Sequence, residues 1–578
     1  MKKILRQGIL LIIVLVVTAC HTQQQITKKS VDLATPGILN SEYYRKLDSL
    51  RIDTVANKDV IGELLDSETK KVYQAFGYKL IWIEKGFINE QGRELIDILA
   101  HTREDGLNNA EYRYYDIRLD DTLIDALSAK CMVLPALLIR TDLLLTHTFL
   151  NYTRDLYSGR VNPALLASEW DISTRQTDYT SLLISAIRNN TIKQTIQALR
   201  PKNPQYHKLS KELMQLEAIA ANGGWPAVPY YEKLRPGDSS IIIPFIRHYL
   251  SKTGYQSYLT SDTASKFYGL DMERAVKEYQ RRNGFTADGV LGKDTRASML
   301  IPINERIAEV QINMDRMRWL PDSLGTKYIT VNLPEFKLRY FENNNLAGNM
   351  RVIIGKIESS TPLLVDSIQY IVFSPEWNVP QSIAVKEMLP KLRTDPGYFV
   401  KNHFKIYKGR IEVEPDSVDW HEYDEDHFPF TIVQQPGKTN ALGKVKFIFP
   451  NSQNIYLHGT PSGYLFGRDA RDMSHGCIRI EKPGELATWL LKSNKQVNKD
   501  SIESYMNKET PKVVYLSDRV PVYFLYQTSW VDENGYLNFR KDIYGYDRIQ
   551  LDLMNGITTR RINQMPQDNH TGDFKKQD

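Results

Sequence analysis

A chain of 578 residues is too long for one hydrophobic core, so several domains are expected. Hydrophobic residues make up 42% and charged residues 25%, which excludes a disordered or fibrous chain. The net charge is only +5 and no strongly basic domain stands out, which argues against nucleic acid as a partner.

The N-terminus comes first. Lys2, Lys3 and Arg6 precede nine consecutive apolar residues, Ile9 to Val17. That run is too short for a membrane-spanning helix and fits the apolar region of an export signal. It ends in Val17-Thr18-Ala19-Cys20, which resembles the bacterial lipoprotein cleavage box. The resemblance implies lipid on Cys20, a membrane anchor and a periplasm-facing position in the cell envelope. His21 after Cys20, rather than an inner-membrane retention aspartate, favours the outer membrane. Residues 21–40 are polar and read as a tether. No later stretch is long and apolar enough to span a bilayer. With only Cys20, Cys131 and Cys477 present, there is no disulfide framework. Cys131, beside Met132-Val133-Leu134, is expected to be a buried, inert thiol, and Cys477 is left for chemistry.

Residues 41–232 read as a helical scaffold. Leu137-Leu138-Ile139, Leu143-Leu144-Leu145 and Phe149-Leu150 recur at helical spacing and predict one long buried helix, closed by turn residues from Tyr157 to Pro163. A second helix is predicted near Leu209 to Ala221. Residues 233–302 form the next unit. From Asp271 the chain predicts a helix with Ala275, Val276 and Tyr279 on one face, followed by Gln280-Arg-Arg-Asn-Gly284-Phe285, then Thr286 to Gly292 as a glycine-bearing turn and Asp294 to Leu300 as a second short helix. This pattern resembles the small three-helix peptidoglycan-binding domain, and the resemblance implies glycan strands as a partner.

From residue 303 to 578 the period shifts to that of strands. Tyr328 to Leu333, Lys337 to Phe341, Arg351 to Ile354, Gln369 to Phe373, Lys444 to Phe449 and Asn454 to Leu457 are short runs rich in β-branched and aromatic residues. Residues 382–429 break the series and read as an inserted cap. Within it, His421, Asp424, Asp426 and His427 read as a solvated acidic face rather than a metal site. Residues 512–578 are a C-terminal extension that completes the sheet, with a hairpin at Asn534-Gly535. The fold class is therefore α+β and multi-domain.

The chemistry concentrates in Tyr456-Leu-His458-Gly459 and Arg471-Asp-Met-Ser474-His475-Gly476-Cys477-Ile-Arg479. A cysteine nucleophile needs a base or a cation to raise its thiolate fraction. Strand alternation puts His475 and Cys477 on one side, and the loop after Gly459 lets His458 fold back beside the sulfur. Gly476 offers its backbone N–H to an oxyanion. A zinc site from His458, His475 and Cys477 lacks a fourth ligand and the usual paired spacing.

A histidine, His458, separated by fifteen residues from Ser474-His475-Gly476-Cys477 resembles the L,D-transpeptidase family, in its large capped branch. Trp377-Asn378-Val-Pro380, Gln435-Pro-Gly437, Asn440-Ala-Leu-Gly443 and Trp420 add to the likeness. The resemblance implies a cysteine acyltransferase without cofactor, acting on peptidoglycan peptide stems. Cys477 would attack and His458 would act as base, oriented by the Gly459 carbonyl. His475 would support the site, and N–H groups near Gly476 and Cys477 would hold the oxyanion. Arg479 and Arg471 would either bind a stem carboxylate or anchor the loop, with Trp377 and Asn378 in the substrate-binding set. It further implies release of D-Ala, 3–3 cross-linking and inhibition by carbapenem-type β-lactams. The same thioester passed to water or to a protein amine remains open, as does a non-catalytic binding lipoprotein.

Overall fold

The computed structural model describes residues 43, 45–52, 64–167, 170, 172, 174–494 and 496–557. The expected export signal, Cys20 and the expected tether lie outside them. The helical part builds α1 (Ser67–Ala75), α2 (Glu90–Ala100), α3 (Tyr114–Ser128), α4 (Pro135–Ser158), α5 (Tyr179–Asn189), α6 (Ile192–Leu199) and α7 (Pro204–Ala221). The predicted long helix is α4, and its Leu138, Ile139, Leu143 and Leu144 are buried as their spacing requires. The second predicted helix is α7, which starts earlier than expected because Pro204 occupies its first turn and Asn203 caps it, accepting the Gln205 N–H at 2.9 Å.

The chain packs as two compact units. One comprises residues up to 96 with 113–148 and 183–190; the other comprises 97–112, 149–182 and 191 onward. At the centre of the first unit sits Asp142, buried in the apolar stripe of α4. Its carboxylate accepts from the Tyr73 hydroxyl at 2.5 Å and from the N–H groups of Ile81 and Trp82 at 3.0 and 2.7 Å. Burial raises its pKa to about 7 against these hydrogen bonds. Cys131 in this unit departs from expectation. It is half-buried rather than buried, because the chain turns through a positive φ of 54° there as α3 gives way to α4.

In the second unit, α8 (Ile243–Lys252), α9 (Leu270–Arg282) and α10 (Lys293–Met299) form the predicted three-helix module. Met272, Ala275, Val276 and Tyr279 bury one face of α9 against Ile246, Leu250 and Leu291. Helix α11 (Ile303–Met317) follows and leads into the β-rich domain. Its strands are β1 (Lys327–Asn332), β2 (Lys337–Glu342), β3 (Asn345–Gly355) and β4 (Val365–Phe373). The cap contributes β5 (Trp377–Asn378), β6 (Phe404–Lys408), β7 (Ile411–Val413) and β8 (Phe430–Gln434). Then come β9 (Val445–Ile448), β10 (Leu457–His458), β11 (Asp472–Ser474), β12 (Ile478–Ile480) and β13 (Lys512–Leu525).

The main sheet runs β11-β3-β12-β10-β9-β4-β13-β1-β2, and β2 pairs back onto β3, so eight strands close on themselves. The pairs β10–β12, β11–β3 and β13–β1 are parallel and the others antiparallel. Val352, Ile354, Ile371, Phe447, Leu457, Ile478, Ile480 and Val522 fill the interior. The segment from 512 onward thus supplies a central strand, and then a hairpin of β14 (Ser529–Val531) and β15 (Leu537–Phe539) around Gly535. The cap is a separate four-stranded sheet, β5-β8-β6-β7, with its own core of Leu389, Leu392, Phe399, Ile406, Trp420 and Ile432. It is wider than the predicted 382–429, because Trp377 pairs with Gln434 and the strands at its root belong to it.

Candidate active site

Alternation along three neighbouring strands builds the site. In β12, Ile478 and Ile480 point into the barrel, so Cys477 and Arg479 lie on the outer face. In β10 Leu457 points inward, which puts Tyr456 and His458 outside. In β9 Val445 and Phe447 point inward, which puts Lys446 outside. Register then aligns them: Lys446 is opposite His458, and His458 is opposite Arg479. One histidine, two cations, a phenol and a thiol converge by pairing and alternation alone.

The Cys477 loop is tied down from below. Thr361 donates its hydroxyl to the Gly476 carbonyl at 2.7 Å and accepts the Gly355 N–H at 2.9 Å. The Ser474 carbonyl accepts from the Lys356 N–H at 3.0 Å and from the Ser359 hydroxyl at 3.2 Å. Ser474 itself is buried and donates to the Cys477 carbonyl at 2.7 Å, so it braces the loop rather than touching sulfur. Gly476 adopts a φ of +111°, a region that side-chain-bearing residues rarely enter. Its N–H points to the Ser474 hydroxyl at 3.3 Å, which corrects the expectation that it lies open to an oxyanion. The loop's left-handed turn at Gly476 swings that N–H inward.

Sulfur and imidazole are prepared differently. The Cys477 Sγ is half-buried and lies 3.8 Å from the Asn454 carbonyl. Burial pushes its pKa up, opposed by hydrogen bonds from the Tyr456 N–H and hydroxyl and by the charges of Lys446 and Arg479. Desolvation wins, so sulfur rests as the thiol at neutral pH. His458 is 5% exposed, and its Nδ1 lies 2.6 Å from the Gly459 carbonyl. A carbonyl only accepts, so Nδ1 carries the hydrogen and Nε2 keeps its lone pair. Burial, with Arg479 and Lys446 nearby, lowers the His458 pKa to about 3. It is a neutral imidazole in the basic tautomer.

The predicted substrate residues divide. Arg479 is half-buried against Cys477, and its buried Nε has no hydrogen-bond partner. Arg471 is spent elsewhere: its guanidinium donates to the carbonyls of Val352 at 3.2 Å and Phe336 at 3.4 Å, and to that of Arg468. That is the anchoring reading, and it takes Arg471 out of the substrate-binding set. Trp377 packs into the cap core near Phe404, and Asn378 is exposed on β5. Among the described residues neither hydrogen-bonds to the Cys477 loop. His475 is exposed, and its Nε2 lies 2.6 Å from Glu387 Oε1 in the cap. This turns the ring to a carboxylate and away from any shared ligand set with His458. In the cap's acidic turn, His427 Nδ1 lies 3.2 Å from Asp424, in the open.

Tyr456 and Lys446 were not foreseen as site residues. Tyr456 directs both its N–H and its phenol at sulfur, and its ring lies 5.5 Å from that of His458. Lys446 holds Nζ 3.8 Å from the centroid of the Tyr456 ring. The signal was present in the period of two, since Tyr456 is two residues from His458 and Lys446 alternates with Val445 and Phe447. A cavity of about 400 Å³ lies away from this site, lined by Arg103, Glu111, Arg160 and Glu217 among others.

Three segments match known domain families: residues 67–213 a scaffold domain, 243–299 a "Putative peptidoglycan binding domain", and 326–514 the L,D-transpeptidase catalytic domain. A protein of Haemophilus influenzae named "Putative L,D-transpeptidase" is 36% identical over 255 residues, which is 43% of this chain and 51% of that one. The chain thus spans about half the length of this curated relative. Among solved structures, an L,D-transpeptidase fragment of Xylanimonas cellulosilytica is 12% identical, with coverage of 51% of this chain and 99% of its own and a TM-score of 0.17. One from Stackebrandtia nassauensis is 15% identical, with coverage of 52% and 96% and a TM-score of 0.19. Scores this low carry no argument. The matched domains and the curated relative do: residues 326–514 match the L,D-transpeptidase catalytic domain, residues 243–299 ahead of them match a peptidoglycan-binding domain, and the chain is similar over part of its length to a protein named as an L,D-transpeptidase.

Proposed function

We propose that Cys477 forms a thioester with a peptidoglycan tetrapeptide stem, releases D-Ala and passes the acyl group to the amine of a second stem. The observation that carries this reading is the set Cys477, Tyr456, His458, Lys446 and Arg479 on one outer face of the barrel, with His458 held as a neutral base. On substrate binding the thiol proton goes to His458 Nε2, and sulfur attacks the carbonyl between the third stem residue and D-Ala. Charge developing on that carbonyl oxygen is met by the N–H of Cys477 and the phenol of Tyr456. The C–N bond then breaks, the proton returns to the leaving D-Ala amine, and the thioester remains. Attack by the second stem's amine gives a 3–3 cross-link and restores the thiol. The unpartnered Nε of Arg479, with Lys446, suits the carboxylate of the departing residue.

The peptidoglycan-binding domain supports a wall-bound position, and the cleavage-box resemblance at Cys20 supports a lipid anchor facing the periplasm, with the outer membrane favoured. The test is incubation of the purified protein and of Cys477→Ala with disaccharide-tetrapeptides, followed by mass spectrometry. Dimers lacking one D-Ala, absent from the variant, are the expected result. Tripeptides alone would assign an L,D-carboxypeptidase, and products independent of Cys477 would overturn the reading. A carbapenem is expected to leave a covalent adduct on Cys477.

A further inference from the structure

We propose that Glu387 of the cap is the acceptor-recognition residue, whose carboxylate binds the protonated amine of the second stem and so sets how much thioester goes to cross-link rather than to water. This rests on the acyl-enzyme reading above.

Four observations carry it. First, Glu387 reaches across from the cap to the loop of the nucleophile, with Oε1 2.6 Å from Nε2 of His475, two residues from Cys477. Among the described residues it is the one carboxylate hydrogen-bonded to segment 474–479. Second, that carboxylate is not used up. Its side chain is half exposed, Oε2 has no partner among the described residues, and neighbouring Lys386 turns instead to Glu425 at 3.9 Å. Third, Glu387 lies in a π-helical turn, Ala384–Met388, an uncommon geometry that recurs at functional sites. Fourth, the cap's root is fixed. The amide of fully buried Asn440 donates to the carbonyls of Pro375, Gln434 and Gln435 at 3.1, 3.2 and 3.0 Å, pinning the entering and leaving strands together.

The result is a site polarised across the sulfur. Lys446 and Arg479 stand on the barrel side, and Glu387 stands on the cap side. The two substrates carry complementary charge, because the donor ends in a carboxylate and the acceptor offers an aliphatic ammonium. Only one arrangement matches both: donor carboxylate to the barrel, acceptor ammonium to the cap. The ammonium loses one proton to water, and its nitrogen lone pair forms the C–N bond. The C–S bond breaks with its electron pair on sulfur, and the nitrogen's second proton passes through His458 to the thiolate.

A mere latch between His475 and the cap would look the same in a static structure, so the variants must separate charge from hydrogen bonding. Glu387→Gln keeps a hydrogen bond to His475 and loses the charge; Glu387→Asp keeps the charge on a shorter arm. With disaccharide-tetrapeptide as donor and acceptor, Glu387→Gln is expected to lower the dimer-to-tripeptide ratio by about tenfold or more, as loss of a charge-assisted hydrogen bond requires. The loss should appear in acceptor KM and exceed any loss in the rate of carbapenem adduct formation on Cys477, with Glu387→Asp restoring part of it. An unchanged ratio, or equal losses in adduct formation and transfer, would overturn the inference while leaving the acyl-enzyme reading intact. A wild-type protein that forms neither dimer nor adduct would remove that reading and this one with it.

Discussion

At the scale of single residues, His458 shows how burial can hold an imidazole neutral. Exclusion from water and two neighbouring cations hold its pKa at about 3, against an ordinary 6.5. Unfolding therefore takes up a proton between those values, which makes stability fall as pH drops from about 6.5 toward 3. Asp142, raised to about 7, and Glu309, raised to about 8, act in the opposite sense, because each binds its proton more tightly when folded. The expected outcome is read by difference. In urea titrations at pH 7 and pH 4.5, His458→Gln should lose roughly 2 kcal/mol less than wild type on acidification. Equal losses would mean that His458 is not buried in the neutral form. Much at this scale was legible beforehand. Cys477 and His458 announce themselves because a thiol needs a base, and the spacing of the motif is specific. Glu387 could not be seen, since 88 residues separate it from His475 and only the cap's fold brings them together. Arg471 was ambiguous because a guanidinium beside a loop serves carbonyls and carboxylates equally well.

Elements show where a side chain is forbidden. Gly355 ends β3 where a Cβ would lie 2.9 Å from the Thr361 N and 3.1 Å from the Gly476 Cα, and would run into the Ser359 carbonyl. Backbone on three sides cannot yield as a flexible side chain would. Gly355→Ala is expected to displace the Cys477 loop, cutting carbapenem adduct formation by about a hundredfold for a shift near one ångström, with a stability cost of about 1–3 kcal/mol. Adduct formation at the wild-type rate would show that the loop tolerates the displacement. The helices and most strands were legible from period and turn residues, as with α4, α9 and the hairpin at Gly535. The width of the cap was not, because Trp377 and Gln434 lie far apart in sequence and their pairing is a tertiary choice. Asp142 was also hidden, since one carboxylate in an apolar stripe gives no hint of the N–H groups waiting for it.

For the molecule as a whole, the peptidoglycan-binding module sits firmly against the catalytic half within their shared unit. Arg540 donates to the Arg282 carbonyl at 3.0 Å, and its side chain lies against Gly284. The Arg282 guanidinium lies 3.6 Å above the Tyr536 ring, and that of Arg306 lies 4.1 Å above Phe539. These contacts make the module part of the body rather than a tethered arm. Limited proteolysis should therefore spare the stretch between residues 299 and 326. Arg540→Ala is expected to speed cleavage there about tenfold, in line with loss of one or two kcal/mol of local stability. Rapid cleavage of the wild type would mean the module swings freely.

The barrel's closure has a further consequence for how the protein comes into being. Its central strand, β13, is nearly the last to be made, and it pairs in parallel with β1, as Val522 does with Ile329. Such a distant pairing gives the domain a high contact order, so folding waits on chain completion. Until that strand has been made, β4 and β1 have no partner between them and the barrel cannot close. On the proposed acyl-enzyme reading, a chain cut short before residue 525 is therefore expected to be inert rather than half-active.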